Sequence, residues 1–304
     1  AQMYDTRKEA RVPGYDNVYS KKYLSAHYLS VNIGSRWNLG LFESIVLGDT
    51  TQNRGIDPSF FNPVIFYRPI EFAAGSGVGN ALLGANLSFT PSRQATVYGQ
   101  AVLDEFQISS LLDGQGNWVN KYAFQLGYKS KRFAGIPDLF FRVEANYSRP
   151  FTYSHRTVLT NYGHYGASLA HPWESNFLEG LVQVSYRYRR WELEGRLIYG
   201  LRGIESPGSN WGNDIYESYQ DRTQDLGNRL SNSSRQAKFL ASLLRIAYRL
   251  NPQSGLQLEA GFRYRSLTPS TSKTRTEEEP FALGVNRWTF VGLRTRLFNQ
   301  YYDF

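Results

Sequence analysis

The feature that most constrains this chain is an alternation of apolar and polar side chains with a period of two. Near the carboxyl end, mostly apolar residues alternate with glycine and arginine: Thr289, Val291, Leu293, Thr295 and Leu297 against Gly292, Arg294 and Arg296. Because successive side chains of a β-strand point to opposite faces, this pattern is typical of a strand with different surroundings on its two sides. Both the edge strand of a soluble β-sandwich and the closing strand of a membrane β-barrel have such surroundings.

The same alternation recurs along the chain from about residue 23. It predicts about eleven strands, at residues 23–34, 37–47, 80–90, 94–106, 122–129, 139–147, 182–189, 191–199, 239–249, 256–265 and 287–297. Residues 1–22 are polar and rich in turn-forming residues, so an irregular segment is expected there. The predicted domain organisation is therefore an irregular segment over residues 1–22 and one β-barrel over residues 23–304.

The connections between these strands alternate strictly between short and long. Short turns lie at positions such as 35–36, 91–93 and 251–255, whereas the long connections cover about 48–79, 107–121, 151–175, 203–235 and 268–280. Outer-membrane barrels have short periplasmic turns and longer extracellular loops, whereas a soluble sandwich has no reason for this asymmetry. The sequence thus predicts an all-β fold: a transmembrane antiparallel up-and-down β-barrel, surrounded by lipid in the outer membrane of a Gram-negative bacterium.

Composition excludes several other classes of protein. No window approaches the roughly 20 apolar residues that a membrane-spanning helix needs, and the mean hydropathy is −0.46. The aromatic content of 15 % suits the aromatic girdles of a barrel. Cysteine is absent, which excludes disulfides and thiolate metal sites. The net charge of +8 raises the question of nucleic acid, but the charges alternate along strands and no recognition motif accompanies them, so no nucleic-acid partner is expected.

The number of predicted strands carries a further expectation. Bacterial barrels made from one chain have an even number of strands, and about eleven are counted here. If the last strand descends to the periplasm, the strand at 23–34 also descends. The hypothesis is that this chain is the C-terminal part of a larger barrel, in which a missing N-terminal half or a partner chain supplies an odd number of strands.

Charged residues occupy the polar side of the predicted strands. They are Arg142, Glu144, Arg187, Glu192, Glu194, Arg196, Glu259, Arg263, Arg265, Arg294 and Arg296. Buried charges must be paired, so one interpretation is a lattice of ion pairs that fills and rigidifies the barrel interior. The alternative is a cation-lined path for acidic glycans.

Two of the long loops concentrate residues suited to glycan contact. Phe66, Tyr67, Arg68 and Glu71 lie in the loop at 59–72, and Tyr162, His164 and His171 lie in the loop at 151–175. Aromatic faces can stack on the C–H surfaces of sugars, and charged groups bind hydroxyls or uronic carboxylates. These residues are therefore candidates for a glycan-binding surface, or alternatively for a plug that folds inward or a surface that docks a partner.

Other motifs do not indicate catalysis. The glycine-rich run at 75–80 lacks the Lys-Ser/Thr ending of a phosphate-binding loop and opens a strand. The loop that holds His155, His164 and His171 lacks the rigid elements of a zinc site, and packing against nearby tyrosines is expected instead. Ser154 and His155 are chain neighbours whose side chains would point apart in a strand. The expectation is a protein without enzymatic activity, cofactor or metal.

Several segments of the chain carry distinctive motifs. They are 24–34 (LSAHYLSVNIG), 40–43 (GLFE), 62–72 (NPVIFYRPIEF), 80–84 (NALLG), 98–100 (YGQ) with 103–106 (LDEF), 161–165 (NYGHY) with 169–172 (LAHP), and 176–179 (NFLE). These segments resemble the Wzi-like outer-membrane family, most closely its gliding-motility RemB-type branch.

The resemblance implies an outer-membrane barrel that organises the cell surface, through attachment of capsule or exopolysaccharide or through adhesion during gliding. It implies no enzymatic activity, and its members are longer than this chain. A second hypothesis, from a different class, is a structural subunit of a multiprotein outer-membrane complex for secretion, assembly or nutrient uptake. The expected partners are thus lipid, surface polysaccharide and other outer-membrane proteins.

Overall fold

The computed structural model describes residues 1–5, 19–49, 79–205, 208–232, 235–269 and 284–295. The regular structure of these residues is mainly β-strand, with one short α-helix, α1 (Ile108–Leu112), and four short 3₁₀ helices. No helix among them has both the length and the apolar character needed to cross a membrane. The strands are β1 (Gln2–Asp5), β2 (Ser20–Ile33), β3 (Trp37–Gly48), β4 (Gly79–Ser92), β5 (Ala95–Leu103), β6 (Tyr122–Ser130), β7 (Leu139–Ser148), β8 (Gly163–His164), β9 (Ala167–Ser168), β10 (Phe177–Tyr188), β11 (Trp191–Ile204), β12 (Arg235–Asn251), β13 (Leu256–Pro269) and β14 (Gly284–Arg294).

Twelve of the strands form one antiparallel sheet in which each strand lies beside its neighbours in the chain. The order is β1-β2-β3-β4-β5-β6-β7-β10-β11-β12-β13-β14, and β8 and β9 form a separate small hairpin. The prediction of an all-β, antiparallel, up-and-down arrangement is confirmed, and the eleven predicted strands correspond to the eleven long ones. Within the described residues the sheet is open, because it starts at β1 and ends at β14 without closing on itself.

The expectation of an irregular segment over residues 1–22 is wrong at both of its described ends. Gln2–Asp5 form β1, which pairs with the first residues of β2, and β2 itself begins at Ser20. Lys21 and Lys22 are among the polar residues of that segment. The structure instead buries the ammonium group of Lys22, which lies 3.2 Å from the carboxylate of Asp5. An ion pair between two strands therefore extends the sheet where local composition indicated a loop.

The alternation of short and long connections is confirmed. Short reversals, at 34–36, 93–94, 131–138, 189–190 and 252–255, all lie at one end of the sheet, which we call the turn end. The connections at 49–78, 104–121, 149–176, 205–234 and 270–283 leave from the opposite end, the loop end. In antiparallel neighbours joined in sequence, alternate connections fall at opposite ends. The difference in length that the sequence predicted therefore separates the two ends of one sheet: the short connections lie at the turn end and the long ones leave from the loop end.

The two faces of the sheet differ sharply in chemistry. Because the register is regular, residues two apart along a strand share a face. One side, the apolar face, exposes large hydrophobic residues from every long strand: Leu29, Val31, Leu41, Leu83, Leu87, Val97, Phe124, Leu126, Val143, Val184, Leu193, Leu197, Leu244, Ile246, Leu258, Val291 and Leu293. The other side, the polar face, holds most of the charged residues and the chain of hydrogen bonds described below.

Two clusters of buried apolar residues lie at the loop end of the sheet. On the apolar face, β2, β3 and β4 bury Tyr23, Ile45, Leu47 and Ala81. On the polar face, the connections at 149–176 and 208–232 fold back over the sheet and bury the second cluster. Its members come from two strands and both connections: Leu82, Val102, Tyr153, Ile215 and Tyr216. The loop end of the polar face is consequently covered, whereas its turn end is open.

Candidate functional site

The covered part of the polar face contains a cavity of about 290 Å³. Its floor is formed by strands β3 to β7, which contribute the side-chain amides of Gln100, Gln125 and Asn146, and its roof is the connection at 149–176, which contributes Tyr162 and His171. This volume is at the lower end of the range for small-molecule sites. Amide and imidazole groups beside aromatic walls can hydrogen-bond hydroxyl groups and stack on an apolar ring surface.

The roof of the cavity is held in an unusual backbone conformation. Five residues of the connection at 149–176 have a positive φ although they are not glycine: Phe151 (66°), Tyr153 (73°), Tyr165 (51°), Glu174 (64°) and Asn176 (57°). Each such residue costs of order 1–3 kcal/mol and persists only where the surroundings enforce it. Packing of this connection must therefore outweigh the strain.

One buried arginine ties this connection to two others. Arg149 is buried, and its guanidinium donates hydrogen bonds to the carbonyl oxygens of Asn117 and Asn228 at 3.2 and 2.9 Å. It thereby joins three long connections to one another. Nearby, the backbone N–H of Phe151 donates to the carbonyl oxygen of Gly212 at 2.9 Å. The three connections consequently form one packed unit over the sheet.

A second anchor joins the same unit to the amino-terminal strands. The side chain of Asn161 is fully buried, and its Oδ1 accepts a hydrogen bond from Nζ of Lys22 at 2.7 Å. Its Nδ2 donates to the carbonyl oxygen of Ile215 at 3.1 Å. Since Lys22 also pairs with Asp5, this one amide links β1, β2 and two connections. None of these partners is close to Asn161 in sequence.

His171 lies where the roof meets the sheet, and its contacts define its tautomer. Its Nδ1 accepts a hydrogen bond from the backbone N–H of Trp173 at 3.1 Å, so Nε2 carries the proton. Nε2 lies 3.1 Å from Oε2 of Glu179 on β10, to which it donates. The ring also stacks on Phe177, with ring centroids 4.3 Å apart. The imidazole is thus fixed in orientation at the edge of the cavity.

A continuous chain of hydrogen bonds runs from this histidine along the polar face. Asn146 donates to Glu179 at 2.8 Å and to Glu144 at 3.1 Å. Glu144 in turn accepts from Arg142 and from the hydroxyl of Tyr98, each at 2.5 Å. The chain therefore joins His171, which we predicted to contact glycan, to Arg142 and Glu144, which we predicted to lie in the charge lattice.

A second charged cluster occupies strands β11 to β14. At its centre Arg245 contacts three carboxylates, from Glu192, from Glu194 at 3.1 Å and from Glu259 at 3.1 Å. Arg196 pairs with Glu194 at 3.2 Å, and Arg294 approaches Glu259 at 3.9 Å. Arg245 was not among the lattice residues predicted from the sequence. Its place between apolar residues in 243–247 could have identified it, because it alternates with Leu244 and Ile246.

The other predicted lattice members are not all in ion pairs. Arg263 and Arg265 lie over aromatic rings instead, 5.6 Å from the centroid of Phe290 and 5.5 Å from that of Phe239. Within the described residues Arg187 forms no ion pair with a carboxylate. Arg296 lies outside the described residues. Among the residues that the structure describes, the polar face thus combines paired clusters with cations that form no ion pair with a carboxylate.

The remaining predicted glycan residues divide between two regions. Tyr162 lines the cavity and stacks on Tyr153, with ring centroids 5.9 Å apart. The Nδ1 atom of His164 lies 3.1 Å from the backbone nitrogen of Tyr4, so this histidine fixes β1 and does not face the cavity. Phe66, Tyr67, Arg68 and Glu71 lie outside the described residues.

His155 and Ser154 are used in packing. Burial, reinforced by the nearby positive charge of Lys121, lowers the pKa of His155 to about 4, so the ring is neutral near pH 7. Thr160 is its hydrogen-bond partner at 2.5 Å. The hydroxyl of Ser154 donates to the carbonyl oxygen of Phe151 at 2.7 Å, and not to the imidazole. Among the described residues there is no group of acidic and histidine side chains arranged to hold a metal ion.

No protein-family model matches this chain, and a search of curated proteins finds no match either. The chemistry of the site therefore follows from its own residues. They offer a small cavity with amide donors and acceptors, an oriented imidazole and tyrosine rings, at the covered end of a face that carries charge along its whole length. Such a set can bind a polar ligand with ring surfaces and hydroxyl groups.

Proposed function

We propose that this chain forms part of the wall of an outer-membrane β-barrel. The observation that carries the proposal is the apolar face, which is exposed on all eleven long strands and backed by a charged face. Monomeric soluble proteins rarely expose contiguous apolar patches larger than a few hundred Å². A lipid bilayer on one side and a polar interior on the other account for both faces.

Aromatic residues at the two ends of the apolar face support the same proposal. At the turn end Trp37 stacks on Phe89 and Trp191 packs against Tyr248, with ring centroids 4.2 and 4.8 Å apart. Near the loop end Tyr122 contacts Phe124 with a centroid separation of 5.1 Å. Membrane barrels carry such girdles at both interfaces with water.

Within that setting we propose a non-enzymatic role in organising the cell surface, through attachment of capsule or exopolysaccharide or through adhesion linked to gliding. The packed connections at the loop end cover a cavity whose aromatic and amide groups suit a sugar unit of a larger glycan. The resemblance to the Wzi-like family supports the same role. In this orientation the loop end faces the cell exterior and the turn end faces the periplasm.

A charge placed on either face of one strand tests the membrane proposal. Leu126 on β6 is 64 % exposed on the apolar face, and the adjacent Gln125 faces the polar side. A lipid-facing Arg costs about 2–4 kcal/mol near the bilayer centre. We expect Leu126→Arg to reduce insertion into the outer membrane and Gln125→Arg to insert normally, as measured by membrane fractionation and heat-modifiable gel mobility. Equal behaviour of the two variants would contradict the proposal.

Retention of polysaccharide tests the surface role. Cells that produce the intact protein should hold more surface polysaccharide than cells that produce the double variant His171→Ala/Tyr162→Ala. The comparison requires that both proteins reach the membrane in equal amounts. His164→Ala serves as the control, because this histidine fixes β1 outside the cavity. Polysaccharide levels that are the same in all three strains would argue against a role for the cavity.

The second candidate function is a structural subunit of a multiprotein outer-membrane complex, and the open sheet favours it. The apolar residues of β14 are among the most exposed on the sheet, with Val291 at 77 % and Leu293 at 69 %. In a membrane the backbone groups of an edge strand must find partners. Stable co-purification with other barrels or lipoproteins would favour this function, and recovery alone with glycan retained would favour the first.

A further inference from the structure

The turn end of the polar face contains a cleft of about 640 Å³ that is separate from the cavity beneath the loops. It lies between the β4–β5 and β6–β7 reversals, which are tied together by a hydrogen bond from the backbone N–H of Lys131 to the carbonyl oxygen of Gln94 at 2.8 Å. Its charged lining residues are Arg93, Lys129, Lys131, Arg142 and Glu144.

The charges of this cleft do not balance. Four cations line it, and its one carboxylate, that of Glu144, is already engaged by Arg142 and by the hydroxyl of Tyr98. Within the described residues no carboxylate forms an ion pair with Arg93, Lys129 or Lys131. Like charges gathered in a concave site raise the local concentration of anions. The cleft therefore has the electrostatic character of an anion-binding site.

The rest of the lining indicates which kind of anion fits. Gln94, Thr96 and Gln125 offer neutral donors and acceptors, and the rings of Tyr98 and Phe140 offer flat apolar surfaces. This combination suits sugar hydroxyls and ring faces beside an acidic group. A lipid phosphate would need space for acyl chains, and the large apolar residues of these strands face the opposite side of the sheet.

We propose that this cleft binds the acidic units of a glycan, such as uronic acids, through Arg93, Lys129 and Lys131. The inference rests on the proposed role in polysaccharide attachment and specifies its ligand class. Gln125 lines both this cleft and the cavity beneath the loops, so the two form adjoining parts of one polar surface along β5 to β7. An extended acidic chain can occupy both, with a ring in the cavity and a carboxylate in the cleft.

The test uses purified full-length protein in detergent and two probes with the same sugar backbone, oligogalacturonate and its neutral methyl ester. Titration calorimetry would compare the intact protein with Lys129→Gln, Lys131→Gln and the double variant. Arg190→Gln is the matched control, because this cation lies in a neighbouring reversal outside the cleft. Exposed charge pairs contribute modestly, so we expect oligogalacturonate binding to weaken roughly threefold in each single variant and about tenfold in the double variant.

Arginine replacements at the same positions should restore the affinity for oligogalacturonate, and binding of the methyl ester should not change in any variant. Added salt should weaken binding of the acidic probe only. Equal affinity for the two probes, or an unchanged affinity in the double variant, would overturn the proposal. Glycerol phosphate is the competitor that represents a lipid headgroup, and its displacement of the acidic probe at equal concentration would overturn the assignment to a glycan.

The failure of this inference can be told apart from the failure of the proposed function. If the cleft variants bind both probes as the intact protein does, the cleft is excluded while polysaccharide retention through the loop cavity stands. If Leu126→Arg and Gln125→Arg insert equally into membranes, the barrel itself is in question, whatever the calorimetry gives.

Discussion

On the apolar face of the sheet, Nδ1 of His27 on β2 lies 2.9 Å from Oε1 of Glu43 on β3. The two residues are directly opposite each other in the register. Glu43 interrupts the otherwise apolar row formed by Trp37, Leu39, Leu41, Ile45 and Leu47. In the structure its side chain is 1 % exposed and the neighbouring Ile45 is fully buried. The carboxylate is therefore a buried and hydrogen-bonded group.

Removal of this carboxylate should destabilise the protein. Glu43→Ala removes the buried carboxylate that is hydrogen-bonded to the ring of His27, and we expect a loss of about 2 kcal/mol in the free energy of unfolding. Leu41→Ala, on the same face but exposed, is the control and should cost less. Urea denaturation in detergent provides the measurement. A smaller loss for Glu43→Ala than for Leu41→Ala would contradict the structural role of the pair.

Gly127 provides a test of how the polar face is packed. A Cβ atom added there would lie 2.3 Å from the ring of Tyr98, whose hydroxyl donates to Glu144. We expect Gly127→Ala to displace this ring and to lower the stability by about 1–3 kcal/mol, because inserted atoms in a packed site force neighbours to move. Gly292→Ala is the matched control, since a Cβ there meets no atom within 4 Å. In thermal unfolding, the midpoint temperature should fall in Gly127→Ala and should stay close to that of the intact protein in Gly292→Ala.

Asn161 should be among the least replaceable residues of the long connections. Asn161→Ala removes one partner of the buried ammonium of Lys22 and leaves the carbonyl oxygen of Ile215 unpaired, so we expect a loss of about 2–3 kcal/mol. Asn38→Ala removes hydrogen bonds at exposed positions and should cost less than about 0.5 kcal/mol. Protease sensitivity of the 149–176 connection should rise in Asn161→Ala only. Equal sensitivity of the two variants would contradict the role of Asn161 as an anchor of this connection.

The lowered pKa of His155 predicts a loss of stability in mild acid. Its folded pKa is about 4 against an ordinary value of 6.5, so the unfolded chain binds more protons between these two values. The contribution of His155 to stability is therefore present above about pH 6.5 and is lost as the pH falls towards 4. His155→Gln should show a flatter dependence than the intact protein in urea titrations between pH 4 and 7. Parallel profiles for the two proteins would show that His155 is not the cause.

The pKa of Glu205 predicts the opposite dependence of stability on pH. Burial raises its pKa to about 7, although backbone N–H groups of Trp211 and Asn213 donate to its carboxylate at 2.7 and 3.1 Å. Between about pH 4.5 and 7 the folded protein binds the extra proton, so stability should fall as the pH rises through this range. Glu205→Gln should remove that decline. The comparison is best made in a His155→Gln background, where the opposing contribution is absent.

The sequence by itself determined the strands and the two ends of the sheet. Alternation is a local property of the chain, because neighbouring side chains of a strand face opposite ways whatever the rest of the protein does. Rows such as Leu256, Leu258 and Phe262 could therefore be assigned to one face without tertiary information. The same holds for the short reversals, where a few turn-forming residues separate two alternating runs.

Only the tertiary structure decided which charges meet and where the long connections go. Arg245 contacts carboxylates from two neighbouring strands, and Lys22 is buried by Asp5 and by Asn161, which lies 139 positions away. Such partnerships depend on the register between strands and on the path of connections across the sheet, neither of which leaves a periodic signal in the sequence. For this reason Arg245 was absent from the predicted charge lattice, and β1 fell within a segment that was predicted to be irregular.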